Sequence, residues 1–179
     1  MVQQVVGSFL YDARVVYNTI LMALNAIAHD QANPNEKTKE KVLQFLDYMA
    51  THPNAIIQFH KSEMLLNVHS DASYLSAPKA RSRAAGYFVL GNLPIDGQPI
   101  KLNGAIHVIC SILKCIAASA AEAELGALFL NTKQAKVIRL TLQELGHPQP
   151  PTPIHIDNSK TLGIVNNTIK WQQSQSMAM

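Results

Sequence analysis

Asn67-Val68-His69-Ser70-Asp71 and Pro153-Ile154-His155-Ile156-Asp157 follow one pattern. In each, apolar and polar residues alternate with the period of a half-buried strand and deliver an aspartate at its end. Between them, Ser119-Ala120-Ala121-Glu122-Ala123-Glu124-Leu125 opens a strongly helical stretch. Two strand aspartates and one helix glutamate are the smallest set of carboxylates that holds a pair of Mg²⁺ ions for phosphodiester hydrolysis. The expected fold class is therefore α/β, with the aspartates on parallel neighbours of one sheet and helices against it. In such sheets ligands gather at the carboxyl ends of the strands.

The strand signals around the first aspartate continue. Leu66, Val68 and Ser70 share one strand face, and Asn67, His69 and Asp71 the other. Ser76-Ala77-Pro78-Lys79 reads as a loop leading to a strand over Ala85–Leu90, and Gly91-Asn92 and Asp96-Gly97 are turn signals. A third strand is expected from about Ile106 to Leu113. Ser119, with Glu122 three residues on, reads as a helix N-cap. Apolar residues at helical spacing then carry two helices to a stop at Gly146-His147-Pro148. A short helix is expected within Asn158–Val165.

Upstream, residues 1–60 read as helical. Phe9, Leu10, Val16, Ile20, Leu24 and Ile27 recur near the helical period, and Val42, Phe45, Leu46 and Met49 form one face of Lys37–Thr51. His52-Pro53-Asn54 ends that helix, and Ala55–His60 changes to strand character.

Composition bounds the rest. A chain of 179 residues, 47% hydrophobic and 15% charged, can bury the core of one ordinary domain plus a smaller segment. Its formal charge of +3 is compatible with a nucleic-acid partner without requiring one. Lys79-Ala80-Arg81-Ser82-Arg83 is either a solvated loop or a phosphate contact. Cys110 and Cys115, five residues apart, fit no zinc motif and no disulfide framework, which points to a reducing compartment. No apolar run reaches the roughly 20 residues that span a bilayer, and the N-terminus lacks a basic leader, so a soluble intracellular protein is expected.

Glu122 and Glu124 project roughly 200° apart on a helix and cannot both face one ion. Glu122 has a local capping role, so Glu124 is the expected ligand beside Asp71 and Asp157. A competing reading pairs His69 with Asp71 and His155 with Asp157 around a zinc or manganese ion. Ser73 and Ser119 have no His/Asp partners at a recognisable spacing for nucleophilic catalysis.

Several of these segments, taken in order, resemble the ribonuclease H domain of copia-type retrotransposon polyproteins. Ser70-Asp71-Ala72-Ser73 is similar to its first-strand aspartate motif, and Ala80-Arg81-Ser82 through Ala85-Gly86-Tyr87-Phe88 to the segment that follows. Ala118–Leu125 resembles its Ser-Thr-Glu-Ala-Glu-Tyr helix start, with Leu125 in place of the tyrosine. Glu144-Leu145-Gly146 and Asp157-Asn158-Ser159 match the end of the second helix and the fourth-strand aspartate. Val6–Tyr11 and the helices to His52-Pro53 resemble the end of the reverse transcriptase and its connection to ribonuclease H.

The resemblance implies a helical remnant of that connection over residues 1–60 and a ribonuclease H-like domain over 61–179. The fold implied is a mixed five-stranded sheet with helices. The activity implied is endonucleolytic cleavage of the RNA strand of RNA–DNA hybrids with two Mg²⁺ ions, Mn²⁺ being a possible substitute. Asp71, Glu124 and Asp157 carry over as catalytic metal ligands, and Arg81 and Arg83 as contacts to the nucleic-acid backbone. The implied partners are the hybrid and the rest of the polyprotein. Two departures stand out: residues 158–179 contain no Asp or Glu where the family usually supplies a fourth acidic ligand, and the domain is expected to be truncated at its C-terminal end. The alternative expectation is a catalytically inactive remnant that binds nucleic acid or a protein. No Asp-Asp pair occurs, so polymerase activity is not expected.

Overall fold

The computed structural model describes residues 1–95, 98 and 101–167. The expected turn at Asp96-Gly97 and residues 168–179 lie outside the described residues. The chain divides into two compact units, Met1–Gln58 and Phe59–Met179.

The first unit is helical: α1 (Val2–Val15), a 3₁₀ turn (Asn18–Ile20), α2 (Leu21–His29) and α3 (Glu36–Thr51). Ala13, Ile20, Leu24, Ile27, Val42 and Phe45 are its core, and the Phe9 and Phe45 rings meet edge-on at 5.2 Å. Asn35 and Thr38 cap α3 reciprocally: the Asn35 side chain accepts the Thr38 N–H at 2.9 Å, and the Asn35 N–H donates to the Thr38 hydroxyl. Ala55–His60 is not a strand. Its alternation is genuine, but no neighbouring strand offers it a ladder.

The second unit is a four-stranded sheet among the described residues, in the order β3-β2-β1-β4. Its strands are β1 (Leu65–Ala77), β2 (Arg81–Gly91), β3 (Ala105–Ile112) and β4 (Ile154–His155). β1, β2 and β3 form an antiparallel meander, whereas β4 pairs with β1 in parallel. The mixed α/β class expected from the sequence is what the chain adopts. A parallel pair needs a long crossover. Here it contains α4 (Ala120–Glu144), one continuous helix of 25 residues where two had been expected. α5 (Ser159–Val165) follows β4, capped by Asn158.

α4 packs on β1 and β2 because their inward faces are apolar. Leu66, Val68 and Phe88 meet Ala135 and Leu142 at one level; Ala84, Leu113 and Ala117 meet Ala123 and Ala127 at the other. Each fully buried large side chain here contributes roughly 1.5–3 kcal/mol of transfer free energy. The helix ends where Gly146 takes φ of +87°, a left-handed conformation that glycine adopts without strain. β1 also runs further than expected, so Asp71 lies within the strand and not at its end. The ladder shifts between Ser73 and Ala77, where Leu75 has φ of +52°. Among the described residues, no helix is long and apolar enough to cross a membrane.

Candidate metal centre

The parallel register of β1 and β4 (Val68 beside Ile154, His69 beside His155) places Asp71 and Asp157 two residues beyond the same paired position. The Val68 N–H donates to the Pro153 carbonyl at 3.1 Å and fixes that register. Pro153 has no N–H of its own and favours the extended entry that delivers Ile154 to the sheet edge.

Glu124 reaches the same place from the first turns of α4. The Ser119 hydroxyl accepts the Glu122 N–H at 3.2 Å, and Glu122 Oε2 accepts the Ala118 N–H at 2.6 Å, so the helix start is tied down locally. Glu122 is thereby occupied, and Glu124 turns to the sheet. Its Oε1 accepts the Ala72 N–H at 3.2 Å, and its Oε2 is buried with no hydrogen-bond partner. One carboxylate oxygen from each of Asp71, Glu124 and Asp157 lies within 4.8 Å of the others. Glu124 is buried; the two aspartates are exposed.

The electrostatic consequence falls on Glu124. Burial pushes its carboxyl up to about 7; the Ala72 N–H opposes the shift, and the charges of Asp71 and Asp157 add to it. Three carboxylates held this closely repel one another, and the buried one yields by keeping its proton. A divalent cation removes that conflict. The donor set is all hard oxygen, suited to Mg²⁺ or Mn²⁺, and the unpartnered Glu124 Oε2 is an acceptor that a cation would satisfy.

The histidines do not join this cluster. Among the described residues, Asp71, Glu124 and Asp157 form the group of three or more metal-ligating side chains, with no imidazole among them. His69 and His155 are ladder neighbours whose rings stack at 4.8 Å, 26° from parallel. Stacked rings direct their nitrogen lone pairs side by side and do not converge them on one ion. Burial pushes both imidazoles below their usual range, and for His69 the neighbouring His155 adds to the shift.

Of the two arginines expected at phosphates, Arg81 is half-buried and its Nε donates to the Pro78 carbonyl at 3.4 Å. Arg83 is 8% exposed on β2. Sequence reading missed two buried amides that brace the site. Asn131 Nδ2 donates to Ser70 Oγ and to the Ala85 carbonyl, both at 2.8 Å. Gln149 accepts the Leu66 N–H at 3.0 Å and donates to the Met64 carbonyl, steering the chain into β4. A lone polar residue in an apolar helical stripe was the available signal for Asn131.

No protein-family model and no solved structure matches the chain. Over 164 residues, 92% of its length, it is 24% identical to the retrovirus-related Pol polyprotein from transposon TNT 1-94 of Nicotiana tabacum. The aligned region is 12% of that polyprotein, so the chain corresponds to a small part of its relative. The chain is thus similar to a segment of a retrotransposon polyprotein.

Proposed function

We propose that the chain carries a ribonuclease H-like endonuclease domain of a retrotransposon polyprotein, cutting the RNA strand of RNA–DNA hybrids with two divalent cations. The observation that carries this reading is the convergence of Asp71 on β1, Glu124 on α4 and Asp157 just past β4. The similarity to a Pol polyprotein supports the context. In this reading the remainder of the polyprotein is a partner, and the helices of residues 1–60 derive from the end of the polymerase.

Asp71, Glu124 and Asp157 would hold the cations, Mg²⁺ or Mn²⁺. When bound, the ions supply an activated water and stabilise the leaving oxygen. The chain's own part is placement. The Ala72 N–H fixes one Glu124 oxygen and leaves the other for a cation, and burial keeps competing water away. Asp71 and Asp157 are exposed and open to a phosphate. Recognition of the hybrid would rest on its shape, 2′-hydroxyls and phosphates, without base readout.

A second reading is a silent domain that binds hybrid without turnover. A labelled RNA–DNA hybrid incubated with Mg²⁺ separates the two. The nuclease reading expects products in the RNA strand that vanish with EDTA. Salt-dependent binding with no product at saturating metal would assign the chain to the silent class.

A further inference from the structure

We propose that Asn131 is a positioning residue for the carboxylate centre. With Ser70 and Gly86 it forms a clamp that sets the separation between Glu124 and Asp71. The inference rests on reading that centre as a metal site.

Asn131 lies seven residues beyond Glu124 on α4, about two turns, so both side chains leave nearly the same side of the helix. It is fully buried, and its Nδ2 bridges Ser70 Oγ and the Ala85 carbonyl. Ser70 immediately precedes Asp71 on β1, and Ala85 is the residue paired with Asp71 across the ladder to β2. Glu124 holds the Ala72 N–H on the other side. The helix is therefore fastened to β1 on both flanks of Asp71, one fastening being the glutamate itself and the other Asn131.

Gly86 completes the clamp. It pairs with Ser70 in the ladder, and a Cβ added there would collide with the Asn131 side-chain oxygen. Glycine inside a strand weakens it and commonly marks a close approach by another group. Here the approaching group is the Asn131 carboxamide. As a device for stability alone the arrangement is incomplete, because Asn131 Oδ1 is buried without a hydrogen-bond partner. A buried amide that leaves an acceptor unpaired while spanning helix and both strands serves alignment.

Mn²⁺ titration of the whole chain by calorimetry, with thermal melts alongside, tests the clamp. Wild type binds Mn²⁺, and Asn131→Ala weakens that binding by about tenfold or more, the scale of outer-shell substitutions. Gly86→Ala does the same, and Gly86→Ala/Asn131→Ala binds more tightly than Gly86→Ala alone, because the collision is gone. Leu142→Ala, a core truncation at the far end of α4, lowers the melting temperature and keeps the affinity. If Asn131→Ala does not fold, Ser70→Ala, which removes one acceptor of the clamp, carries the comparison with a loss of a few fold. Unchanged affinity in the folded clamp variants, with wild type binding normally, would overturn the positioning role alone. Absence of Mn²⁺ binding by wild type overturns the metal-site reading itself, and the clamp with it.

Discussion

Glu124 Oε1 accepts the N–H of Ala72 at 3.2 Å, which ties a helix carboxylate to the backbone one residue past the strand aspartate Asp71. That bond keeps a buried acid facing two other acids instead of swinging to solvent. The site therefore stores repulsion that a cation relieves, and the pH at which Glu124 loses its proton reports on it.

In metal-free protein the Glu124 carboxyl is raised to about 7 from an ordinary 4.5, so the folded state holds its proton more tightly than the unfolded chain. The stability it contributes is fully present below about 4.5 and is lost as pH rises through about 7. Glu124→Gln removes this dependence. In EDTA, the variant is expected to be more stable than wild type at pH 8, by up to roughly 3 kcal/mol, with the gap closing at pH 4.5. Urea unfolding of both proteins at the two pH values measures it. A gap that does not change with pH would remove Glu124 as the titrating group.

Metal binding and this proton compete for one carboxylate. Titrating Mn²⁺ at pH 6 is expected to release nearly one proton per protein, and at pH 8 close to none. Calorimetry in two buffers of different ionisation enthalpy gives the number directly. Equal proton release at both pH values would show that the ion binds without displacing the Glu124 proton.

Much of this was legible in the sequence, and the misses have physical causes. The alternation around Val68 and Ile154 marked strands because each packs one apolar side against α4. Ala55–His60 alternates as well, yet forms no strand, since a strand requires a partner and periodicity does not reveal one. The stretch up to Gly146 reads as two helices in the sequence. It is continuous helix because Asn131 finds its hydrogen bonds on Ser70 and Ala85, a compensation that only tertiary structure supplies. Phe129 and Val137, apolar residues at helical spacing, are 68% and 58% exposed. The choice of Glu124 over Glu122 could be made in advance, because helical geometry forbids both and a capping role was visible for one.

His69 and His155 set the acid limb of stability. Burial lowers both, so their folded-state values lie below the unfolded ones. The stability tied to keeping them neutral is present above about 6.5 and is lost as pH falls through the lowered folded values. Protonating both would also place two like charges on stacked rings. His155→Gln is expected to shift the midpoint of acid unfolding of the second unit to lower pH and to leave Mn²⁺ affinity at pH 8 within a few fold. Circular dichroism across pH 3–7 checks the first, calorimetry the second. A large loss of Mn²⁺ affinity would return the imidazole to the ligand set.

In the helical unit, Asn35→Ala removes the side-chain acceptor of the Thr38 N–H and one half of the reciprocal cap on α3. The expected cost is about 1 kcal/mol, confined to the unfolding of Met1–Gln58. Residues 1–58 followed by thermal circular dichroism in the whole chain should melt earlier, while the hybrid assay at 25 °C is unaffected. A drop in hybrid cleavage with no change in melting would give Asn35 a functional part that its geometry does not suggest.

Removing a charge from the centre without changing its shape is the most direct test of the chemistry. Asp71→Asn and Asp157→Asn each keep the side-chain volume and replace an anionic oxygen with an amide. Both aspartates are exposed, so neither substitution buries an unpaired group, and melting temperatures are expected to stay within a few degrees. Electrostatic stabilisation by bound cations amounts to several kcal/mol of barrier, so each variant should lose about 100-fold or more in cleavage of an RNA–DNA hybrid. Glu124→Gln should lose as much at saturating Mg²⁺, and at limiting Mg²⁺ its deficit should shrink at pH 6, where the proton competes with the cation for wild-type Glu124. The assay follows a labelled RNA strand with Mg²⁺ across pH 6 to 8.5. Hybrid cleavage that survives Asp71→Asn at the wild-type rate would remove that carboxylate from the reaction, whatever its distance from the other two.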